Sequence, residues 1–150
     1  MGAMMEAVQA FFTAGHWPMT EVPGHPLLRL GFASAEGSWN CLAHVREAQS
    51  EFLFYSVCPF NVPDPRRATM AEFLTRANYG LALGNFEMDF TDGEVRYKTS
   101  IDVQEESLTE ALLRPIVYAN LAMMKTFLPG LVAVADGTAS AEEAYQLVRG

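Results

Sequence analysis

Residues 27–60 run LLRLGFASAEGSWNCLAHVREAQSEFLFYSVCPF. The stretch divides into three apolar-rich segments, Leu27 to Ala35, Ser38 to Glu47 and Glu51 to Phe60, separated by Glu36-Gly37 and by Gln49-Ser50. Segments of this length bounded by turn residues predict a three-stranded meander. The register can be tested, because a one-residue slip would send every bulky side chain to the opposite face. A two-residue turn at Glu36-Gly37 sets Phe32 opposite Cys41 and Leu28 opposite Val45. A two-residue turn at Gln49-Ser50 sets Val45 opposite Phe54, Trp39 opposite Phe60 and Cys41 opposite Cys58. Leu28, Leu30, Phe32, Trp39, Cys41, Val45, Phe52, Phe54 and Phe60 then share one face, the expected core side.

On either side of the meander the pattern turns helical. Met4, Ala7, Val8, Phe11 and Phe12 form one helix stripe over Met4 to Ala14, and a loop marked by Pro18, Pro23, Gly24 and Pro26 leads into the strands. After the meander, Asp64 fits a helix N-cap and Pro65 a first helical position, with Met70, Phe73, Leu74 and Ala77 as the apolar stripe. A hairpin follows, Leu81 to Thr91 and Glu94 to Val103 around Asp92-Gly93. A two-residue turn there pairs Phe90 with Val95, Met88 with Tyr97 and Phe86 with Thr99, and on the other face Asp89 with Arg96 and Glu87 with Lys98.

Ser107-Leu108-Thr109-Glu110 fits a capping box opening a long apolar helix that Pro129-Gly130 should stop. Pro115 either lies in the first turn of a later-starting helix or kinks a longer one. Leu131 to Ala135 fits strand or helix, and Ser140-Ala141-Glu142-Glu143 opens a last helix to Val148. The order α-βββ-α-ββ-α(-α) predicts one α+β domain over residues 1–150, an antiparallel sheet made of a three-stranded meander plus a hairpin, with helices on one side.

The chain has 150 residues, half of them hydrophobic and 19% charged, with a net charge of −8, which fits a folded domain and not a disordered one. An acidic chain repels phosphate backbones and anionic lipid, so nucleic acid and membrane surfaces are not expected partners. No run of about twenty apolar residues stands out as a span. The first fifteen residues lack a basic region and carry Glu6 and Gln9, unlike a signal peptide. Two cysteines suit a reducing compartment, so the expected location is cytoplasmic.

Chemistry is sparse. Cys41 and His44 are three apart on a strand and point to opposite faces, so they cannot chelate together, and His16 and His25 have no ligand-spaced companion. Glu87 and Asp89 share a strand face, but cationic neighbours hold them ionised, the reverse of what a general acid needs. Arg66 and Arg67 could meet an anion but read better as a solvated face. Gly80 and Gly84 precede a strand and no Lys-Ser or Lys-Thr, so they make no phosphate loop. No catalytic residue, metal site or cofactor is therefore expected.

The surplus is apolar. Leu53, Tyr55 and Val57 alternate with Phe52, Phe54 and Cys58, so the third strand is apolar on both faces, and the register sets Leu42 opposite Val57 on the second side. An exposed apolar patch usually marks a partner surface. Leu42, Leu53, Tyr55 and Val57 are thus the candidate partner-binding residues, on a protein expected to be a homodimer that takes a protein or peptide. The alternative is a domain holding an apolar or acyl ligand between sheet and long helix, lined by some of its eight methionines.

Asn78-Tyr79-Gly80, Gly84-Asn85-Phe86-Glu87-Met88-Asp89, the run from Asp92 to Ser100, Val117-Tyr118-Ala119-Asn120 and Pro129-Gly130 together resemble the YbjN family. The resemblance extends from Phe54-Tyr55-Ser56-Val57 through the long helix, with Pro115 a departure. It implies a cytoplasmic bacterial protein, a sensory transduction regulator, with a fold similar to the secretion chaperones that bind effector polypeptides as dimers. The family brings no established catalytic residues to carry over.

Overall fold

The computed structural model describes residues 2–149; Met1, the first residue of the stretch read for a signal peptide, lies outside them. Helix α1 (Ala3–Ala14) precedes strands β1 (Met19–Glu21), β2 (Leu27–Ser34), β3 (Gly37–Arg46) and β4 (Glu51–Val57). Helix α2 (Arg67–Asn78), strands β5 (Asn85–Met88) and β6 (Val95–Asp102), and helices α3 (Glu110–Asp136) and α4 (Ala141–Val148) follow. The strands form one antiparallel sheet in the order β1-β2-β3-β4-β6-β5, so the hairpin joins the meander by laying β6 against β4. The expected α+β class holds. Strand β1, in the segment read as loop, pairs with Leu28 to Leu30 as a three-residue edge too short to show alternation.

All three predicted registers are displaced by two residues, because each loop closes differently from the two-residue turn expected of it. Between β2 and β3 the turn residues are Ala35-Glu36, closed by Ser34 opposite Gly37; the Ser34 hydroxyl accepts from the Glu36 amide and donates to the Gly37 carbonyl. Phe32 therefore faces Trp39 and Leu30 faces Cys41. Between β3 and β4, Glu47–Gln49 forms a 3-10 turn, Ser50 takes φ 57°, and Arg46 faces Glu51. Leu42 faces Tyr55 instead of Val57, and Cys41 faces Ser56 instead of Cys58. Between β5 and β6, the Asp89 and Asp92 carboxylates accept the Thr91 and Glu94 amides, widening the loop so that Glu87 faces Arg96 and Met88 faces Val95. A shift of two preserves the facing of every side chain, so the predicted core face survives.

The helices lie over that face. Phe12 of α1 stacks on Phe54 with ring centroids 6.0 Å apart, and Phe127 of α3 packs edge-on against both Phe73 of α2 and Phe86 of β5. Helix α4 packs against α2 and α3. Leu28, Trp39, Cys41, Val45, Phe52 and Phe54 are buried beneath them, with Phe32 and Phe60 partly so.

Thr109, two residues past Ser107, caps α3 by accepting from the Leu112 amide. Pro115 lies in the second turn, and the helix runs through Pro129 to Asp136. The expected stop fails because burial of Leu128, Leu131, Val134 and Ala135 outweighs the penalty of roughly 3 kcal/mol for an interior proline. Gly130 has a packing role: a Cβ there would stand 2.6 Å from the Phe73 ring, so its absence lets α2 approach α3. The helix ends at Gly137, with φ 76°, beside the guanidinium of Arg66, which donates to the Val134 and Ala139 carbonyls. With its prolines inside, α3 has 27 residues and a mean hydropathy of 1.4 over its most apolar window. That is enough length and apolarity to cross a bilayer, unlike the reading from runs alone, although half of that window is buried in the fold.

In the middle of α3, buried Asn120 ties the helix to the sheet. Its Nδ2 donates to the carbonyls of Phe54 on β4 at 2.9 Å and Tyr97 on β6 at 3.0 Å. Thr99 donates its hydroxyl to the Ile116 carbonyl at 2.7 Å and completes the contact.

Candidate functional site: the open face of the sheet

Because successive strand side chains alternate, the face away from the helices is fixed once the core face is known. It carries Arg29 from β2, Asn40, Leu42 and His44 from β3, Leu53, Tyr55 and Val57 from β4, and Arg96 and Lys98 from β6. The four predicted partner-binding residues come together there. Leu42 and Tyr55 are direct cross-strand neighbours, and Leu53 and Val57 stand on either side of Tyr55 along β4. Leu42, Leu53 and Val57 are half-buried; Tyr55 is buried, although no helix lies above it.

The cover over Tyr55 is Arg96, whose guanidinium carbon sits 4.3 Å from the ring centroid. Glu87 holds it, accepting from Arg96 Nε at 2.5 Å, and also meets Lys98 Nζ at 3.3 Å. The charge ladder read from sequence is thus one carboxylate shared by two cations, since Asp89 turns its own carboxylate to the Thr91 amide. That bond, with lesser help from Arg67 and Arg96, holds Asp89 below the usual carboxylate range. On the other side, burial and then the nearby Arg46 push the His44 imidazole down, which favours its neutral form. Arg29 is a part of this surface that sequence reasoning missed. The sequence assigns Arg96 to the charged face of the hairpin, but its place beside Tyr55 depends on the β4–β6 pairing, which no local pattern announces.

Other candidates resolve into structure. Cys41 and Cys58 are buried free thiols, not cross-strand partners; burial pushes both up to about 12. Arg66 caps α3 as described, and Arg67 donates to the carbonyls of Val62 and Phe90, binding the start of α2 to the β5–β6 loop. No group of three metal-ligating side chains exists among the described residues. Met4 of α1, Met70 of α2 and Met124 of α3 are buried core residues. A cleft of about 430 Å³ opens elsewhere, between α1 and α3, lined by Ala7, Phe11, Arg114 and Tyr118 among others.

The block of residues around the β5–β6 hairpin has structural work to do. Asn78 accepts from the Phe86 amide at 2.7 Å and donates to the Phe86 carbonyl at 3.1 Å, occupying the outer edge of β5 as a neighbouring strand would. Tyr97 reaches through its hydroxyl to the Leu83 carbonyl, and Gly93 accepts from the Val62 amide at 2.8 Å. A family model described as "putative bacterial sensory transduction regulator" matches residues 5–133 of the chain. The chain belongs to the YbjN family. The YbjN match takes in the whole sheet and most of α3, so the open face is part of the family domain. Among solved structures, the crystal structure of YbjN from E. coli aligns with a TM-score of 0.62 at 11% identity, over 89% of this chain and 90% of that one. The HopA1-SchA chaperone-effector complex includes a chain that aligns with a TM-score of 0.54 at 13% identity, over 82% of this chain and 91% of that one. No curated protein matches the chain. At these identities the shared property is the fold, which YbjN and a chain of the chaperone-effector complex have in common with this chain.

Proposed function

We propose that the chain is a non-enzymatic regulatory protein of the bacterial cytoplasm that works as a homodimer and binds a polypeptide on the open face of its sheet. One observation carries this reading: among the described residues all four helices lie on one side, and the other side bears half-buried Leu42, Leu53 and Val57 around Tyr55, which Arg96 covers, as one apolar strip. Antiparallel sheets usually expose a polar face. An apolar strip there is what a partner would cover. The fold shared with a chain of a chaperone-effector complex supports a polypeptide as that partner, and the dimer is the state the resemblance to secretion chaperones implies. The site chemistry supports a non-catalytic role, because the thiols are buried and protonated and Glu87 is neutralised by two cations.

The test is affinity capture from the cell that encodes the protein, using the full chain and Val57→Asp, with light scattering of the purified chain. The expected results are a polypeptide retained by the native chain and lost with Val57→Asp, and a mass twice 16.5 kDa. Unchanged capture would clear the face of a role, and a strict monomer would remove the dimer.

A further inference from the structure

The open face also has a charge pattern that the rest of the molecule lacks. The chain carries 10 Lys plus Arg against 18 Asp plus Glu. On the strands of the open face the balance reverses, with Arg29, Arg46, Arg96 and Lys98 against Glu51, Glu87 and Asp102. Arg46 is matched by Glu51 at 2.6 Å. Glu87 serves both Arg96 and Lys98, which leaves one positive charge over, Arg29 is exposed with no ion pair among the described residues, and Asp102, beside Glu51, accepts from the Gln104 amide, so the face keeps one net positive charge.

The placement of these charges is ordered. One row across the sheet reads Arg29, Leu42, Tyr55, Lys98, and the next reads Asn40, Val57, Arg96, Glu87. The apolar strip on β3 and β4 thus runs between two cationic rails, Arg29 on β2 and Lys98 on β6, while the Arg96 guanidinium reaches in from β6 over the Tyr55 ring. Three strand spacings separate the rails, about 14 Å. An α-helix with its side chains is about 10–12 Å across, so a helix laid on the strip brings its two flanks over the rails. The acid on the rest of the surface acts weakly here, because charges beyond about 8 Å are screened at physiological salt.

We infer that the open face receives an acidic amphipathic helix of a partner polypeptide, its apolar stripe on Leu42, Leu53 and Val57 and its carboxylates over Arg29 on one side and Lys98 on the other, with Arg96 standing over Tyr55 between them. This rests on the reading of the open face as a polypeptide-binding surface. Rim charges of this kind govern partner choice and association rate, while the apolar strip supplies most of the affinity.

The experiment replaces Leu53 by photoreactive benzoylphenylalanine in the full chain, irradiates the cells that encode it, and sequences what is joined. The same probe is placed in the double variant Arg29→Glu/Lys98→Glu, in the milder Arg29→Gln, and in Glu87→Gln, each checked for an unchanged melting transition. The expected segment is net acidic with apolar residues at i, i+3, i+4 and i+7. Its yield falls at least about fivefold in the double variant, falls less with Arg29→Gln, and rises with Glu87→Gln. A neutral or basic segment, or a yield indifferent to these charges, overturns the acidic helix and leaves the binding surface standing. Joining to a second copy of this chain also overturns it, assigning the face to self-association. If no polypeptide is joined, the binding reading and the inference fall together.

Discussion

Arg96 lays its guanidinium 4.3 Å from the centre of the Tyr55 ring, on the side of the sheet that no helix covers. The pair explains how an aromatic residue is buried on an open face: a long cationic side chain, held by Glu87 at 2.5 Å, supplies the cover. Its stability contribution should be small, because Arg96 and Glu87 keep about a third of their side-chain surface exposed and a cation–π contact at such a site is worth about 0.5–1 kcal/mol. Urea denaturation of Arg96→Ala, Tyr55→Leu and the double variant should give a coupling energy in that range, and a coupling of zero would mean that the two side chains do not meet in solution.

Asn120 should be the most costly polar residue to replace. Asn120→Ala removes the donor that serves the Phe54 and Tyr97 carbonyls and opens a hole beneath the centre of α3. A loss of about 2–4 kcal/mol is expected, read as a lower thermal midpoint. Thr99→Val, which removes the bond to the Ile116 carbonyl, should lose about 1–2 kcal/mol.

The two thiols should be silent in the folded protein. Burial pushes Cys41 and Cys58 from 9.0 up to about 12, and Tyr97 from 10.0 up to about 12. A disulfide reagent at pH 8 should therefore modify neither cysteine in native buffer and both in denaturant. The same groups set an alkaline limit. Their folded values lie above their unfolded ones, so the unfolded chain releases these protons first as pH rises. Their contribution is complete below about pH 9 and disappears as pH climbs towards 12. Denaturation curves between pH 8 and pH 11 should show falling stability, and a flat profile would contradict the buried placement.

Gly130→Ala places a methyl 2.6 Å from the Phe73 ring and 3.1 Å from Val148 Cγ1. Helix propensity alone would favour alanine by about 1 kcal/mol. Overpacking between α2, α3 and α4 should reverse that sign, with a net loss of about 1–2 kcal/mol on chemical denaturation. A stabilised variant would show that α2 moves aside freely.

Facing was legible in the sequence where pairing was not. Alternation in β2, β3 and β4 assigns Leu28, Trp39, Cys41 and Phe54 to the core and Leu42, Tyr55 and Val57 to the other side, whichever even register is chosen. Register itself depends on how each loop closes, and here Ser34, a 3-10 turn and two aspartates close them by contacts that residue preferences do not display. The same limit applies to α3. Pro129-Gly130 is a local stop signal, whereas the packing that carries the helix beyond it comes from Phe73 on α2 and from Val148 on α4, distant in sequence. The apolar strip of the candidate site was visible for the first reason, and its cationic rails were hidden for the second.

Binding of a polypeptide on the open face can be read from two aspartate variants compared in capture from the native cell. Val57→Asp puts a charge in the apolar strip; Leu147→Asp puts one at an exposed leucine of α4, on the helical side. With both variants folded, the captured partner should be lost with Val57→Asp and retained with Leu147→Asp. Equal retention by the two, or loss confined to Leu147→Asp, would contradict the account.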